Sequence, residues 1–423
     1  MSSQTALICR FFVSFVLFLA LAGNVWAAGP TEKVLYSFPE GPSEIPSAGP
    51  ILDSAGNLYG ISTGEGSYAG AVWKLSPTDS GGWKKTNLYV FKGGRDGQNP
   101  YAPLTTDASG NFYGTTIYGG DGQACVALGY TGCGTVFKLT PQNNGTYQET
   151  VLYVFQGLPD GAWPAGGLAL DKAGNLYGTT TAGGKACISN NNGCGVVFEL
   201  SAHADGNYTE SVIHTFTVPD GVDPRGTLIM DSAGSLYGTA RGNEDLGTWG
   251  TIFRMSPSNG KWQFKVLHSF TDGDDGGAPF SGLTAAKDGI YYGTANTGGA
   301  SGYGTVYELK HTKAAWKLTT LYAFPANNFS ENPVAGVILD RAGNLYGTCE
   351  GDTDYGEGTA YELVRTSKSW RFKLLHTFGE QKGDGGYPVD YGTLAMDEKG
   401  NLYGTTTSGG KGVYFGTAFR IVP

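Results

Sequence analysis

The stretch DKAGNLYGTT, Asp171 to Thr180, reads as a tight turn that delivers the chain into a β-strand. A short carboxylate accepts hydrogen bonds from turn amides, and Gly174 supplies a positive φ that other residues adopt at a cost. Close copies recur along the chain. Aligned on the tyrosine they place Tyr59, Tyr113, Tyr177, Tyr237, Tyr292, Tyr346 and Tyr403 at spacings of 54 to 64 residues, the mark of a repeat architecture. The turn aspartate returns as Asp53, Asp107, Asp231, Asp340 and Asp397, while the fifth copy departs from it with Ala286 and Ile290 where Asp and Asn stand elsewhere. A catalytic group would hardly be supplied six times over, so the stretch is scaffolding.

Each unit holds four β-type runs. In the third copy these are GLALD (Gly167 to Asp171), NLYGTT (Asn175 to Thr180), GVVFEL (Gly195 to Leu200) and SVIHTF (Ser211 to Phe216). They are short, rich in β-branched and aromatic residues, and separated by Gly, Asn, Asp or Pro. Seven such units predict an all-β, seven-bladed propeller with four antiparallel strands per blade and GLALD innermost. A solenoid is the rival, and the chain ends discriminate. The segment after the leader begins with a fourth-strand run, Val34 to Phe38, and the chain ends with a third-strand run, Gly416 to Ile421. The N-terminal strand is therefore expected to complete the last blade and close the ring, which also removes exposed sheet edges.

Composition agrees. Gly is 69 of 423 residues, aromatics are 13% and charged residues only 15%. Without a three-residue Gly period this is not collagen, and so many buriable rings argue against disorder. Arg10 precedes the apolar run FFVSFVLFLALAG, and NVWAA places small residues at a cleavage site. Residues 1–27 are read as a signal peptide and 28–423 as the propeller, secreted, periplasmic or at the cell surface. No later segment is long and apolar enough to span a membrane. The formal charge of −9, with sparse Lys and Arg, makes a poor partner for nucleic acid. A monomer is expected.

Most conspicuous residues fall on repeated positions. His214, His268 and His376 occupy the fourth-strand place held elsewhere by Tyr36, Tyr89, Tyr153 and Tyr322, which suggests interblade packing with a hydrogen bond. The third-strand aromatics Trp73, Phe137, Phe198, Phe253, Tyr307, Tyr361 and Phe419 are core by periodicity. The pattern DxxGNLYGTTxxGG, then GTVFKL, then TVLYSFxGGxDGxxPxAG resembles the GloVer tandem repeat of exported bacterial, choice-of-anchor proteins, over residues 31 to 423. The GLALDxxGNLY half is similar to NHL-type propeller repeats. The resemblance implies a propeller fold and export, and it carries no activity. The chain departs from the family name in showing no anchor before Pro423.

A site is expected where the fourth-to-first and second-to-third loops share one face. Five of the former carry D-G-x-x-P, read first as a tight turn and second as a source of binding groups such as Asp160. Cys125 with Cys133 and Cys187 with Cys194 each close a small ring in a long loop, so two local disulfides are the natural pairing in an exported chain. Metal ligation by the four is the alternative, at spacings unlike those of zinc sites. Cys349 reads as a buried thiol. Asp272, Asp274 and Asp275 invite a calcium reading, as do Asp352, Asp354 and Glu357, but an EF-hand would need Glu at Leu283. No cofactor is otherwise indicated. Arg95, Arg225 and Arg241 fall in same-face loops, as the three carboxylate-gripping arginines of sialidase-type propeller glycosidases do, but without an identifiable acid, base or tyrosine to match. Tyr101, Trp163, Trp249, Phe280, Tyr303 and Tyr387 lie outside the repeated core positions and suit stacking on a glycan or anchoring a protein. The expected role is non-enzymatic binding at this mouth. The alternative is a hydrolase or lyase acting on polysaccharide there.

Overall fold

The computed structural model describes residues 29–423 apart from 40–43, 65–68, 128, 186, 188–191, 327–331, 352–355, 390 and 411–414. The leader, Asp352 and Asp354 lie outside the described residues. Seven antiparallel sheets follow one another. Blade 3 shows the pattern, with Ala169–Leu170 innermost, then Leu176–Thr180, Val196–Ala202 and Tyr208–Thr215 at the rim. The pairing of third and fourth strands shifts register at the same place in every blade, as between Val197 and Phe198. Such a bulge increases local twist.

The ring closes as expected. Thr31–Ser37 pairs antiparallel with Thr417–Val422, from Thr31 opposite Val422 to Ser37 opposite Thr417. Packing repeats at every junction, because each fourth-strand phenylalanine sits against the third-strand aromatic of the next blade. Phe155 lies 5.1 Å from Phe198, Phe216 lies 5.2 Å from Phe253, and across the closure Phe38 lies 5.2 Å from Trp73. All seven third-strand rings are fully buried. The glycine of each NLYG makes room for them, since a Cβ at Gly178 would meet the Phe198 ring at 2.5 Å.

The repeated aspartate does what the turn requires. Asp53 Oδ1 accepts from the amides of Ala55 and Asn57, and Oδ2 accepts from the Asn57 side chain at 2.8 Å and the Tyr59 hydroxyl at 3.1 Å. Burial alone would raise the Asp53 and Asp107 pKa values, but these hydrogen bonds outweigh it and leave both lowered. The fourth-strand histidines also behave as scaffold. His214 stacks on Phe264 of the next blade at 3.8 Å, while His268 and His376 bond Asp275 and Asp384 at 2.9 and 3.0 Å.

Two details differ from the sequence expectation. Three sheets carry a fifth short strand, Ile45–Pro46, Gln98–Pro100 or Gly385–Pro388, paired with the far end of the second strand. D-G-x-x-P is accordingly more than a turn: Asp and Gly turn the chain, and the next residues start a broken inner strand. No described helix is long and apolar enough to cross a membrane.

Candidate functional site

The D-G-x-x-P segments build the mouth. In six of the seven junctions the residue before proline has a positive φ: Asn99 (55°), Trp163 (60°), Asp223 (60°), Ala278 (50°), Asn332 (58°) and Tyr387 (53°). Left-handed backbone is costly for side chains of this size and persists where the surroundings over-determine it. Here the surroundings are the preceding blade. The Asn99 amide donates to the Ala69 carbonyl at 2.8 Å, Trp163 to Cys133 at 2.8 Å, Asp223 to Cys194 at 3.2 Å and Tyr387 to Glu357 at 2.7 Å. The proline that follows covers the glycine after that carbonyl, so that a Cβ at Gly134 would come within 2.7 Å of Pro164. The seventh junction has Ile45 before Pro46, and this pair is held instead by antiparallel pairing with Thr63 and Ser62 of the second strand of blade 1.

The position just after the proline faces the axis, and there Tyr101, Arg225 and Phe280 converge from blades 2, 4 and 5. Arg225, Phe280 and Tyr391 border an axial cavity of about 300 Å³, together with Ile51, Leu104 and Thr284 of the inner strands. Arg225 crosses this space. Its Nε donates to both oxygens of Asp223 at 2.8 Å, and Nη1 donates to the Tyr391 hydroxyl of blade 7 at 2.8 Å. Burial works against its charge, but Asp223 and Tyr391 outweigh that and raise its pKa. The Arg225 and Arg241 guanidinium groups lie 5.9 and 4.7 Å from the Phe280 ring centre, within cation–π range. Arg241 also approaches Asp223 at 3.7 Å.

An aromatic arc borders this cluster. Tyr101 packs edge-on against Tyr391 at 4.5 Å, Tyr118 stacks on Tyr130 at 5.8 Å, and Tyr130 meets Trp163 at 4.8 Å. Burial first and Tyr130 second raise the Tyr118 pKa, and the charge on Arg225 opposes them only in part. Both expected disulfides are present, Cys125–Cys133 and Cys187–Cys194, each with Cα atoms 5.3 Å apart. Their second cysteines carry the carbonyls that hold Trp163 and Asp223, so the cross-links brace the mouth.

The remaining candidates lie elsewhere. Arg95 pairs with Asp121 and is largely exposed. Trp249 and Tyr303 pack, half-buried, against core clusters, and their carbonyls receive the amides of Ala278 and Asn332. Tyr387 occupies the strained pre-proline place in the blade 7 strand Gly385–Pro388. Asp160 accepts the Gln156 amide at 2.8 Å, in the same turn role as its repeats. Asp272 accepts from Thr297 at 2.6 Å and Asp275 bonds His268 and Thr271, so their carboxylates serve separate partners. Among the described residues, Glu32, His376 and Asp384 bring metal-competent atoms within 4.8 Å of one another, at the seam between blades 6 and 7. Both Asp384 oxygens there already accept from the Gly379 and Gly385 amides.

Tyr391, Tyr118, Tyr130 and Asp223 were not singled out by sequence. Tyr391 had a signal: blade 7 holds five residues between Pro388 and Leu394, where blades 2 to 6 hold three, and the insertion carries the tyrosine to the axis.

No curated protein matches this sequence. Among solved structures it is similar to a fungal alcohol oxidase of the AA5 family in complex with copper, at TM-score 0.54 and 13% identity over 91% of this chain and 76% of that one. It is also similar to the polysaccharide lyase Uly1, at TM-score 0.51 and 9% identity over 92% of both chains. At such identities the likeness is one of fold. A profile of the Gloeobacter/Verrucomicrobia repeat matches three times, over residues 23–186, 124–307 and 285–423, and the chain belongs to that repeat family.

Proposed function

We propose that this protein is exported and binds a glycan at the axial mouth without transforming it. One observation carries the reading: Tyr101, Arg225 and Phe280, from three blades, meet Tyr391 of a fourth around the axis. Tyr118, Tyr130 and Trp163 add flat faces suited to sugar rings. Two arginines against the single carboxylate of Asp223 leave local positive charge in an acidic chain. That carboxylate is engaged by both arginines, which suits positioning better than proton transfer. Export is supported by the leader pattern and by the two disulfides, which persist in oxidising compartments.

Glycan-array screening of the mature protein, followed by calorimetry and a matched turnover assay on each hit, tests this. Arg225→Met and Trp163→Ala should each weaken a true ligand by about tenfold or more. Hits that survive both substitutions would overturn the assignment, and product formation would replace it with the hydrolase or lyase reading. A blank array with retained capture of a surface protein would move the ligand class to protein. Sequencing the N-terminus of the exported product tests the leader.

A further inference from the structure

A second cavity, of about 480 Å³, lies between blades 4 and 5 among the first-to-second turns, at the end of the sheets opposite the mouth. It sits where the repeat departs from its own pattern on both walls. In blade 4, Ser235 replaces the asparagine that elsewhere bonds the turn aspartate, as Asn175 bonds Asp171 at 2.9 Å. In blade 5, Ala286 and Ile290 replace the Asp and Asn, and Tyr291 stands where other copies have Leu or Phe. The closing pair survives, with the Ala286 amide still donating to the Ile290 carbonyl at 2.8 Å, but the turn inside it is rebuilt as a 3-10 turn, Lys287–Gly289, with Asp288 at φ 61°. What is lost is the carboxylate and the amide that fill this corner in the other blades.

Arg254 borders the vacated space. Its guanidinium lies 5.7 Å from the Tyr237 ring centre and Nη2 donates to Ser235 Oγ at 3.0 Å, while Nε is buried without a hydrogen-bond partner. The Nε of Arg420, at the equivalent place in blade 7, is left the same way, so what this blade adds is the open space beside the guanidinium. Asp231, the acid of the same wall, is occupied by the Ala233 and Ser235 amides and the Tyr237 hydroxyl. Across the cleft Trp316 stands 5.9 Å from both Tyr237 and Tyr291, and His311 packs against it at 4.8 Å. The cleft thus brings one guanidinium and one indole to a shared space, in a volume typical of small-molecule sites.

We propose that this cleft binds a carboxylate-bearing pyranose, with the carboxylate on Arg254 and the ring face on Trp316. The site is independent of the axial mouth. Calorimetry of the mature protein with digalacturonate should show saturable binding, and cellobiose, a neutral disaccharide, should show none. Arg254→Gln should weaken binding by about tenfold or more, the loss expected for a charge-assisted hydrogen bond. Ala286→Asp, which puts a like charge on the wall of the cleft, should weaken binding as well. Arg225→Met, at the mouth, should leave this affinity unchanged. Absence of binding at about 10 mM, equal binding of cellobiose, indifference to Arg254→Gln, or loss on Arg225→Met alone would each overturn the proposal.

Discussion

Three blade junctions bury a glutamate against the aspartate of the preceding D-G-x-x-P turn, and the contribution of these three groups to stability should fall as pH rises toward neutrality. Glu149 faces Asp96 and Lys92, Glu210 faces Asp160 and Tyr153, and Glu32 faces Asp384 and His376. Burial first and the neighbouring aspartate second push each glutamate from 4.5 to about 7. One oxygen of each is buried without a hydrogen-bond partner. The folded protein therefore holds these protons more tightly than the unfolded chain. Their stabilisation is full below the unfolded pKa of 4.5 and is lost as pH rises through about 7. Taken at face value, the rise corresponds to roughly 3 kcal/mol per carboxyl, but the groups lie at a partly solvated rim, and screening reduces this to about 1 kcal/mol each. Glu149→Gln, Glu210→Gln and Glu32→Gln should each match the wild type in urea denaturation near pH 4.5. At pH 8 each should exceed it by about 1 kcal/mol, and the triple variant by about 3 kcal/mol, because the junctions are far apart and should add. The difference between variant and wild type isolates these groups from others that titrate, such as His214, whose pKa burial lowers. Variants less stable than the wild type at pH 8, or a difference that does not change with pH, would refute the account.

Asp107→Ala removes the acceptor for the Ser109 and Asn111 amides, the Asn111 side chain and the Tyr113 hydroxyl. It should cost about 1–3 kcal/mol in chemical denaturation. Gly178→Ala drives a methyl into the Phe198 ring and should destabilise by about 1–3 kcal/mol even though alanine is the better strand former. Phe38→Ala opens the closure against Trp73 and should cost about 3–5 kcal/mol, with hydrogen exchange quickening first in Thr31–Ser37. Reducing the disulfides, or replacing Cys125 and Cys133 by Ser, should lower stability by about 2–3 kcal/mol. Mouth ligands should weaken with it, through Trp163, while the cleft at Arg254 is unaffected.

Blade number, strand order, ring closure, the role of the turn aspartate and both disulfides were legible in the chain itself. Each is a local matter, or one copied at a fixed period: an Asp that bonds amides two and four residues on, a glycine under a ring from the neighbouring strand, two cysteines in one loop. Repetition turned those local rules into architecture. It also separated scaffold from candidates, because a group present in every blade serves the blade. Which candidates meet was decided only by the tertiary structure. Tyr101, Arg225, Phe280 and Tyr391 are separated by up to 290 residues, and only rotation about the closed ring brings them within reach of one axis. Trp163 and Asp223 depend on a left-handed backbone that a carbonyl of the neighbouring blade holds in place. The cleft at Arg254 exists because two unrelated departures, Ser235 and Ala286, fall on facing walls, and sequence spacing does not record which walls face each other.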